Sequence, residues 1–329
     1  MVGNSKISVV TGIVVGVLFG FSLVFGIIYA SGVYTYIENT KEIVNLYDFY
    51  NINVGDNTNA VYFVGSSIVG CSIDPIQINQ HLEELGYENI TAYNLAINGD
   101  TPLQRSVQIQ NIIDSSPSLV VFGITYRSLV SNDWNSENIV LIHDNLMIRD
   151  DSLYLYSPEQ LASFKEKPDI NFYKKFILSA LTYSKSNTSR TMDYTTDHYG
   201  INMRLNFDKQ KDERQIIADT ENPNNVWHPI LTDESTCSKE ALKYNINTLK
   251  DAGISVIVVN LPMHPLTSGE ISNESRDNMH SFLSSLDVTW YDMELNYDDK
   301  YFWDNHHMNY KGSLAFAPVM ADLIIQELS

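Results

Sequence analysis

The sequence has few cysteines and few basic residues, and each shortage excludes a class of protein. Two cysteines in 329 residues, Cys71 and Cys237, are too few for a fold built on disulfide bonds, although outside a cell the two can pair. Lysine and arginine number 21 against 40 aspartates and glutamates, which gives a formal net charge of −19. Such a surface repels nucleic-acid backbones and anionic lipid headgroups, so nucleic acid is excluded as a partner.

Charge is also missing from one stretch near the N-terminus, because residues 7–30 contain no charged side chain. As a helix this stretch would be about 36 Å long, enough to cross a hydrocarbon core of roughly 30 Å. We predict an uncleaved signal anchor within residues 1–35 that crosses the cell membrane once. A cleaved signal peptide is the alternative, although its apolar region is usually about 7–15 residues long. The flanking charges favour an extracytoplasmic position for the rest of the chain.

Gly12, Gly16 and Gly20 repeat at every fourth position of this stretch. Small residues at that spacing let two helices pack closely, which predicts a homodimer or a membrane partner. Glycine is also simply frequent in transmembrane helices, so both interpretations stay open.

Beyond a polar connector at residues 36–58, residues 59–329 suit one large α/β domain. Short apolar runs rich in β-branched and aromatic residues predict buried strands. The predicted strands are Ala60–Val64, Ile90–Leu95, Leu119–Gly123, Ser255–Leu261 and Val288–Tyr291. Helical segments between them indicate a five-stranded parallel sheet with helices on both faces.

Helix start and stop signals place these segments along the chain. The predicted helices run from Asp74 to Gly86, from Thr101 to Asp114, from Ser235 to Asp251 and from Asn309 to Leu328. Residues 129–234 break the alternation, being long and polar with a helical patch around Phe172–Tyr183. We interpret them as an insertion after the third strand that folds over the C-terminal edge of the sheet.

Two blocks with candidate chemistry follow predicted strands. Gly65, Ser66 and Ser67 end the first strand, and ligands of open α/β sheets collect at the C-terminal ends of strands. The run from Asn94 to Gly99 ends the second strand, and a glycine there lets a main-chain N–H approach a developing oxyanion. Each block alone is equally well an ordinary turn.

A third block, from Asp304 to Gly312, precedes the terminal helix. Asp304 and His307 are three residues apart, so the carboxylate can orient an imidazole that acts as a base. His306 competes for that role, and a solvated polar loop is the plain alternative. We expect adjacent histidine side chains to point in different directions and find no third clustered ligand, so we predict no metal site and no cofactor.

Taken in order, these blocks resemble the SGNH/GDSL hydrolase superfamily. The resemblance implies a flavodoxin-like three-layer sandwich with Ser67 as nucleophile, His307 as base and Asp304 as its orienting residue. It also implies an oxyanion hole formed by the N–H groups of Ser67 and Gly99, and it places Ser66 at the Asp position of the family's Gly-Asp-Ser.

The third strand departs from the family pattern. Thr125 stands where the family has the Asn of Gly-x-Asn-Asp, and Tyr126 replaces the Asp. A threonine hydroxyl can donate the same hydrogen bond with a shorter reach, and losing one oxyanion donor costs about 2.7–4 kcal/mol. Ile73-Asp74-Pro75, Gly-Ser-Ser and the predicted anchor are similar to membrane-tethered SGNH proteins that accompany acyl transfer to cell-envelope polymers.

The resemblance implies an extracytoplasmic serine esterase or O-acyltransferase whose substrate is an acylated cell-envelope glycan or related ester. A membrane-bound acyltransferase is the partner it suggests. Candidate substrate-binding residues are Ser66, Arg127 and His264. Arg127 can instead form a surface salt bridge, and His264 can instead be a packing residue. The rival hypothesis is a catalytically inactive SGNH-fold accessory or glycan-binding subunit of an envelope-modification complex.

Overall fold

The computed structural model describes residues 59–97, 99–130, 149–158, 211–222 and 228–329, together with nine residues between Gly12 and Leu23. The chain divides into two units, residues 1–44 with 166–191 and residues 45–165 with 192–329. The predicted connector at 36–58, the helical patch at 172–183 and much of the insertion lie outside the described residues.

In the first unit, the nine described residues between Gly12 and Leu23 are helical. Several of their apolar side chains are exposed, among them Val15 and Phe19. In the part of the chain that the structure describes, no helix is both long enough and apolar enough to cross a membrane. Because most of the predicted span is not described, the anchor stays a prediction.

The second unit contains a five-stranded sheet in the order β2-β1-β3-β4-β5, with every neighbouring pair parallel. The strands are β1 Ala60–Val64, β2 Thr91–Asn94, β3 Leu119–Ile124, β4 Ser255–Asn260 and β5 Thr289–Asp292. The prediction of an α/β fold with a five-stranded parallel sheet is confirmed. This strand order is also the one found in flavodoxin-like sheets.

Burial explains why the strand sequences predicted a parallel sheet. All residues of β1 are buried, and β3 and β4 are buried along nearly their whole length. A strand that is covered on both faces has a continuous run of apolar residues. A strand with one solvent-exposed face alternates between apolar and polar residues. The two edge strands differ from this pattern, since β2 alternates between half-buried and buried residues and none of the four residues of β5 is buried.

Helices of the second unit follow the strands in the expected alternation. They are α1 Ser67–Ser72, α2 Pro75–Glu84, α3 Pro102–Arg105, α4 Ile109–Ser115, α5 Tyr126–Val130, α6 Glu213–Glu221, α7 Cys237–Asp251, α8 Pro265–Gly269, α9 Asn273–Ser285 and α10 Tyr310–Leu328. Short 3₁₀ turns lie at Ser106–Gln108, Asp150–Leu155 and Asp299–Tyr301.

The helices pack as two separate groups. The terminal helix α10 contacts α1 and α2, while α7 contacts α3, α4, α5 and β4. Right-handed crossovers place the two helices between β1 and β2 on one face and the helices between β2 and β4 on the other, because the strand order reverses at β1. The C-terminal ends of all the strands therefore meet at one edge, with the reversal point beside β1.

One local prediction was wrong, and one helix was missed. The helix predicted from Thr101 to Asp114 is interrupted by the 3₁₀ turn at Ser106–Gln108. There the Ser106 hydroxyl donates to the Leu103 carbonyl at 2.7 Å, a local bond that competes with the main-chain ladder. Helix α9 was not predicted, because just three of its 13 residues are buried and its apolar stripe is correspondingly narrow.

Candidate active site

Ser67 lies directly after the turn that ends β1. The backbone of Gly65 has φ of +147°, and a Cβ atom there would lie 2.5 Å from the carbonyl oxygen of Gly123. A side chain at position 65 would therefore strain the turn and press against β3. Ser66 caps α1 by accepting a hydrogen bond from the main-chain N–H of Ile68 at 3.4 Å, and Ser67 is the first residue of that helix.

Asp304 and His307 lie in a short loop that is closed at its base. An antiparallel bridge pairs Phe302 with Met308. The side-chain amide of Asn309 donates to the carbonyl of Phe302 at 3.0 Å, and its oxygen accepts from the N–H of Gly312 at the start of α10. The side chain of Asn309 thus stabilises both the closed end of the loop and the start of the terminal helix.

The structure brings three of the predicted site residues into one chain of hydrogen bonds. His307 Nε2 lies 2.9 Å from Ser67 Oγ. His307 Nδ1 lies 3.0 Å from Asp304 Oδ2 and 3.2 Å from Oδ1. Asp304 Oδ1 also accepts the main-chain N–H of His307 at 2.8 Å, so the carboxylate is fixed from two directions. This arrangement suits proton transfer from a serine hydroxyl to an oriented imidazole.

The Asp304 carboxylate is nearly buried and yet held in its charged form. Burial alone would raise its pKa, but the hydrogen bonds from His307 and the nearby imidazoles lower the pKa of Asp304 well below its usual range. A carboxylate that stays ionised can fix the His307 tautomer that presents Nε2 to the serine.

His306 does not compete for the serine. Its Nδ1 lies 2.7 Å from Asn305 Oδ1, and its ring packs against that of His307 with the centroids 3.9 Å apart. The expectation that the two adjacent side chains point in different directions is therefore wrong. Burial lowers the pKa of His306 well below its ordinary value, so its ring is neutral.

This proximity also gives the loop a group of metal-ligand atoms. Asp304, His306 and His307 each offer one such atom, and these lie within 4.8 Å of one another. Both ring nitrogens of His307 are already engaged, one by Ser67 and one by Asp304. A metal ion bound there would have to displace one of these hydrogen bonds.

Gly99 lies in the turn between β2 and α3, at the same edge of the sheet. Its φ is +73°, a conformation that favours glycine. Asn94, at the end of β2, is buried and donates from its amide to the Ile73 carbonyl at 2.9 Å, which ties this strand end to the segment after α1. The predicted Asn94–Gly99 block is thus part of the edge that carries Ser67.

A buried ion pair stabilises the same turn. It was not predicted from the sequence. Arg105 Nη2 lies 2.5 Å from Asp100 Oδ2, and both side chains are almost fully buried. The Arg105 guanidinium also donates to the Leu95 carbonyl at 3.1 Å, so it spans the turn from one end to the other. Burial raises the pKa of Asp100 to about 6, although Arg105 opposes that shift.

Thr125 and Tyr126, the two departures from the resembled pattern, follow β3 directly. Thr125 is buried, and its main-chain N–H donates to Ser128 Oγ at 3.1 Å, which leaves its hydroxyl as the group it can offer to an oxyanion.

The Tyr126 hydroxyl donates to Glu294 Oε2 at 2.6 Å. Glu294 is buried and also pairs with Arg276 at 2.7 Å. Tyr126 therefore fixes the end of β3 to the segment after β5.

The remaining candidates differ in their surroundings. Arg127 is an exposed residue of α5, close enough to His306 for its charge to contribute to the lowered pKa of that histidine. His264 is buried, caps α8 through Nδ1 and packs edge-on against Phe302 with the ring centroids 5.4 Å apart. It also lines a groove of about 320 Å³ next to Glu213.

Lys211 is a further residue near the site that the sequence did not reveal. Its Nζ atom lies 3.9 Å from Asp304 Oδ2 and 4.5 Å from the centre of the Trp303 ring. No motif marked it, because a lone lysine in a polar insertion has no spacing signal.

A protein-family model matches two overlapping ranges of this chain, residues 39–206 and 171–329. The chain belongs to the family that this model describes. No curated protein matches the sequence.

Two solved structures show a distant similarity. The gut microbial diltiazem-metabolizing enzyme BT4096 shares 13% identity at a TM-score of 0.28, over 82% of this chain and 47% of that one. This chain thus spans less than half the length of BT4096. TesA shares 14% identity at a TM-score of 0.20, over 59% of this chain and 99% of that one. At these TM-scores neither similarity bears on the activity of this chain.

Proposed function

We propose that this chain is an extracytoplasmic serine esterase or O-acyltransferase of the SGNH type, which acts on acyl esters of cell-envelope glycans or related polymers. The observation that carries the proposal is the hydrogen-bond chain from Ser67 through His307 to Asp304. Ser67 and His307 are 240 positions apart in sequence, so their contact is not a by-product of local turn structure.

In the proposed reaction, Ser67 Oγ attacks the acyl carbonyl carbon while its proton passes to His307 Nε2. The Asp304 carboxylate stabilises the imidazolium that forms. The negative oxygen of the tetrahedral intermediate accepts hydrogen bonds from the N–H groups of Ser67 and Gly99 and from the Thr125 hydroxyl. Cleavage of the ester C–O bond returns the proton to the leaving alcohol and leaves an acyl group on Ser67.

The molecule that accepts the acyl group in the second half of the reaction determines whether the enzyme is an esterase or an acyltransferase. His307 removes a proton from the acceptor, whose oxygen attacks the acyl-Ser67 ester and restores the free hydroxyl. Water as acceptor gives an esterase, and a sugar hydroxyl gives an O-acyltransferase.

We propose different roles for the three side chains that were candidates for substrate binding. Ser66 caps α1 and His264 caps α8, so both hold the backbone around the site. Arg127 is exposed on α5, and its planar guanidinium suits a carboxylate or phosphate on an anionic substrate.

We also propose that residues 7–30 anchor the chain in the cell membrane, with the α/β domain outside the cytoplasm. The exposed valine and phenylalanine side chains between Gly12 and Leu23 support this placement, because exposed apolar side chains need an apolar partner. A second copy of this chain and a membrane-bound acyltransferase are the partners we propose for the glycine-bearing face of that helix.

A catalytically inactive accessory or glycan-binding subunit is the second candidate. Thr125 favours it, because a threonine in place of the expected asparagine removes the longer-reaching oxyanion donor. The intact hydrogen-bond chain at Ser67 opposes it, since binding alone needs no oriented imidazole.

Labelling with a fluorophosphonate probe separates the two candidates. We expect the full-length protein to be labelled at Ser67, located by mass spectrometry, and the Ser67→Ala and His307→Ala variants to stay unlabelled. Ser66→Ala is the matched control and should keep its label, because Ser66 does not contact His307. A folded wild-type protein that takes up no label would favour the accessory subunit.

A further inference from the structure

Tyr126 is anchored to a segment that is distant in sequence. It is the first residue of α5, and its side chain is fully buried. Its hydroxyl donates to Glu294 Oε2 at 2.6 Å, a bond that spans 168 positions. A hydrogen bond to a carboxylate is roughly twice as strong as one between neutral groups. The start of α5 is therefore tied firmly to the chain beyond β5.

Glu294 is itself fixed by the elements around it. Its side chain is buried, and Arg276 on α9 donates from Nη2 to Glu294 Oε1 at 2.7 Å. The hydroxyl of Ser268 on α8 donates to the same oxygen. The main-chain carbonyl of Glu294 accepts the N–H of Met263, beyond the end of β4, at 3.2 Å. The carboxylate that receives the Tyr126 hydroxyl thus cannot turn away without breaking its bonds to α8 and α9.

Thr125 lies between two residues that are tied to other parts of the sheet edge. Before it, the Ile124 carbonyl accepts the N–H of Leu261 at 2.9 Å, and after it comes the anchored Tyr126. The N–H of Thr125 donates to Ser128 Oγ at 3.1 Å, and its carbonyl accepts the N–H of Ser128 at 2.9 Å. Because the branched Cβ of threonine restricts χ1, the main chain at this position largely determines where the hydroxyl points.

We propose that Tyr126 is a positioning residue that acts through Thr125: its bond to Glu294 holds the Thr125 hydroxyl where the negative oxygen of the tetrahedral intermediate forms. The inference rests on the proposed function, in which that hydroxyl is an oxyanion donor. A threonine hydroxyl reaches less far than an asparagine amide, so a small shift of the main chain costs it more of its hydrogen bond. A short donor therefore needs a rigid support beside it. The two departures from the resembled pattern, Thr125 and Tyr126, then have one explanation.

A double-mutant cycle on the full-length protein tests this inference, with kcat and KM for p-nitrophenyl acetate as the readout. Tyr126→Phe keeps the buried ring and removes the hydroxyl, so we expect kcat to fall by about 10–100-fold with KM within about twofold of wild type. In the Thr125→Val background the same substitution should change kcat by less than about twofold, because the donor through which Tyr126 acts is gone. A purely structural role would lower kcat by the same factor in both backgrounds.

Tyr291→Phe is the matched control. The Tyr291 hydroxyl donates to Glu327 Oε1 at 2.7 Å between β5 and α10, so the substitution removes a bond of the same kind. It should leave kcat unchanged in both backgrounds. Should Tyr126→Phe not fold, Glu294→Gln takes its place, because it weakens the same bond. The kcat of Glu294→Gln should then fall in the wild-type background and change by less than about twofold in Thr125→Val.

The possible failures of the inference and of the proposed function are distinct. Unchanged kcat in a folded Tyr126→Phe, or equal losses with and without the Thr125 hydroxyl, would overturn the inference and leave the proposed function standing. A wild-type protein that neither hydrolyses the ester nor takes up fluorophosphonate would refute the proposed function, and the inference with it.

Discussion

The rings of His306 and His307 pack against each other, with centroids 3.9 Å apart and planes inclined by 47°. They share a loop but have different partners: His307 faces Ser67, and His306 is bonded to Asn305 at 2.7 Å. The buried neutral ring of His306 therefore packs against the His307 ring without taking part in its contact with Ser67. Sequence alone could not separate the two roles.

Substitution of each histidine by asparagine should separate them in kinetics. His307→Asn removes the base, and we expect the rate of fluorophosphonate labelling to fall by about 10⁴-fold or more. His306→Asn removes a packing surface, and we expect a loss within about tenfold, equal to about 1.4 kcal/mol. Equal losses in the two folded variants would contradict these roles.

The Thr125 hydroxyl is the third oxyanion donor in the proposed mechanism. Thr125→Val keeps the side-chain shape and removes the hydroxyl, so we expect kcat on a model ester to fall by about 10²–10³-fold with little change in KM. Thr125→Ser keeps the hydroxyl and should retain most of the activity. Unchanged kcat in Thr125→Val would show that another group stabilises the oxyanion.

The turn at Gly65 should tolerate no side chain. Gly65→Ala places a methyl group against Gly123 and Val69 at an unfavourable φ, so we expect it to lower the free energy of unfolding by about 1–3 kcal/mol or more. Gly86→Ala is a suitable comparison, because Gly86 also has a positive φ but no atom within 4 Å of the added Cβ. Urea denaturation should show the larger loss for Gly65→Ala, and equal losses would mean that the contact with β3 relaxes freely.

Breaking the buried Asp100–Arg105 pair should cost far more than breaking an exposed one. Arg105→Met leaves a buried carboxylate unpaired, and we expect a loss of about 3–5 kcal/mol in the free energy of unfolding at neutral pH. Lys300→Met, which breaks an exposed pair with Asp298, should change it by less than about 1 kcal/mol. Because burial raises the pKa of Asp100 to about 6, the deficit in Arg105→Met should shrink as the pH falls below that value. A deficit that does not depend on pH would argue against an ionised Asp100.

Asp304 should make stability depend on acid pH in a defined direction. Its pKa in the folded protein is well below that of an unfolded aspartate, about 3.9, so the unfolded state binds a proton first as the pH falls. The stabilisation by this group is therefore present above about pH 4 and is lost progressively below it. Denaturation curves between pH 3 and 6 should show this loss in the wild type and a weaker one in Asp304→Asn. Parallel curves would contradict the lowered pKa.

The sheet was predictable because its signal is contained in short windows of sequence. Every residue of Ala60–Val64 is buried, so that strand reads as an unbroken apolar run and its ends match the prediction. Pro75 and Asn309 mark helix starts by residue chemistry alone. The spacing of Asp304 and His307 is likewise local, which is why their pairing could be anticipated.

Contacts between distant segments carried no such signal. Lys211 reaches Asp304 from the insertion, and Tyr126 bonds to Glu294 across 168 positions, yet neither pair has a pattern in the sequence. Arg105 was not singled out in the sequence, yet it is almost fully buried and pairs with Asp100. The role of such charged residues can be recognised only in the folded structure, where their partners lie next to them.

The sequence distances within the site also determine when it can form. Asp304 and His307 are three positions apart, so their contact needs nothing beyond the loop that carries them. Ser67 and His307 are 240 positions apart, so their contact closes a long stretch of chain at a cost in conformational entropy. During synthesis Ser67 therefore emerges long before its base, and its hydroxyl has no catalytic partner until the segment that carries His307 has been made. The pairing of Ser67 with His307 therefore requires both ends of the α/β domain to be in place.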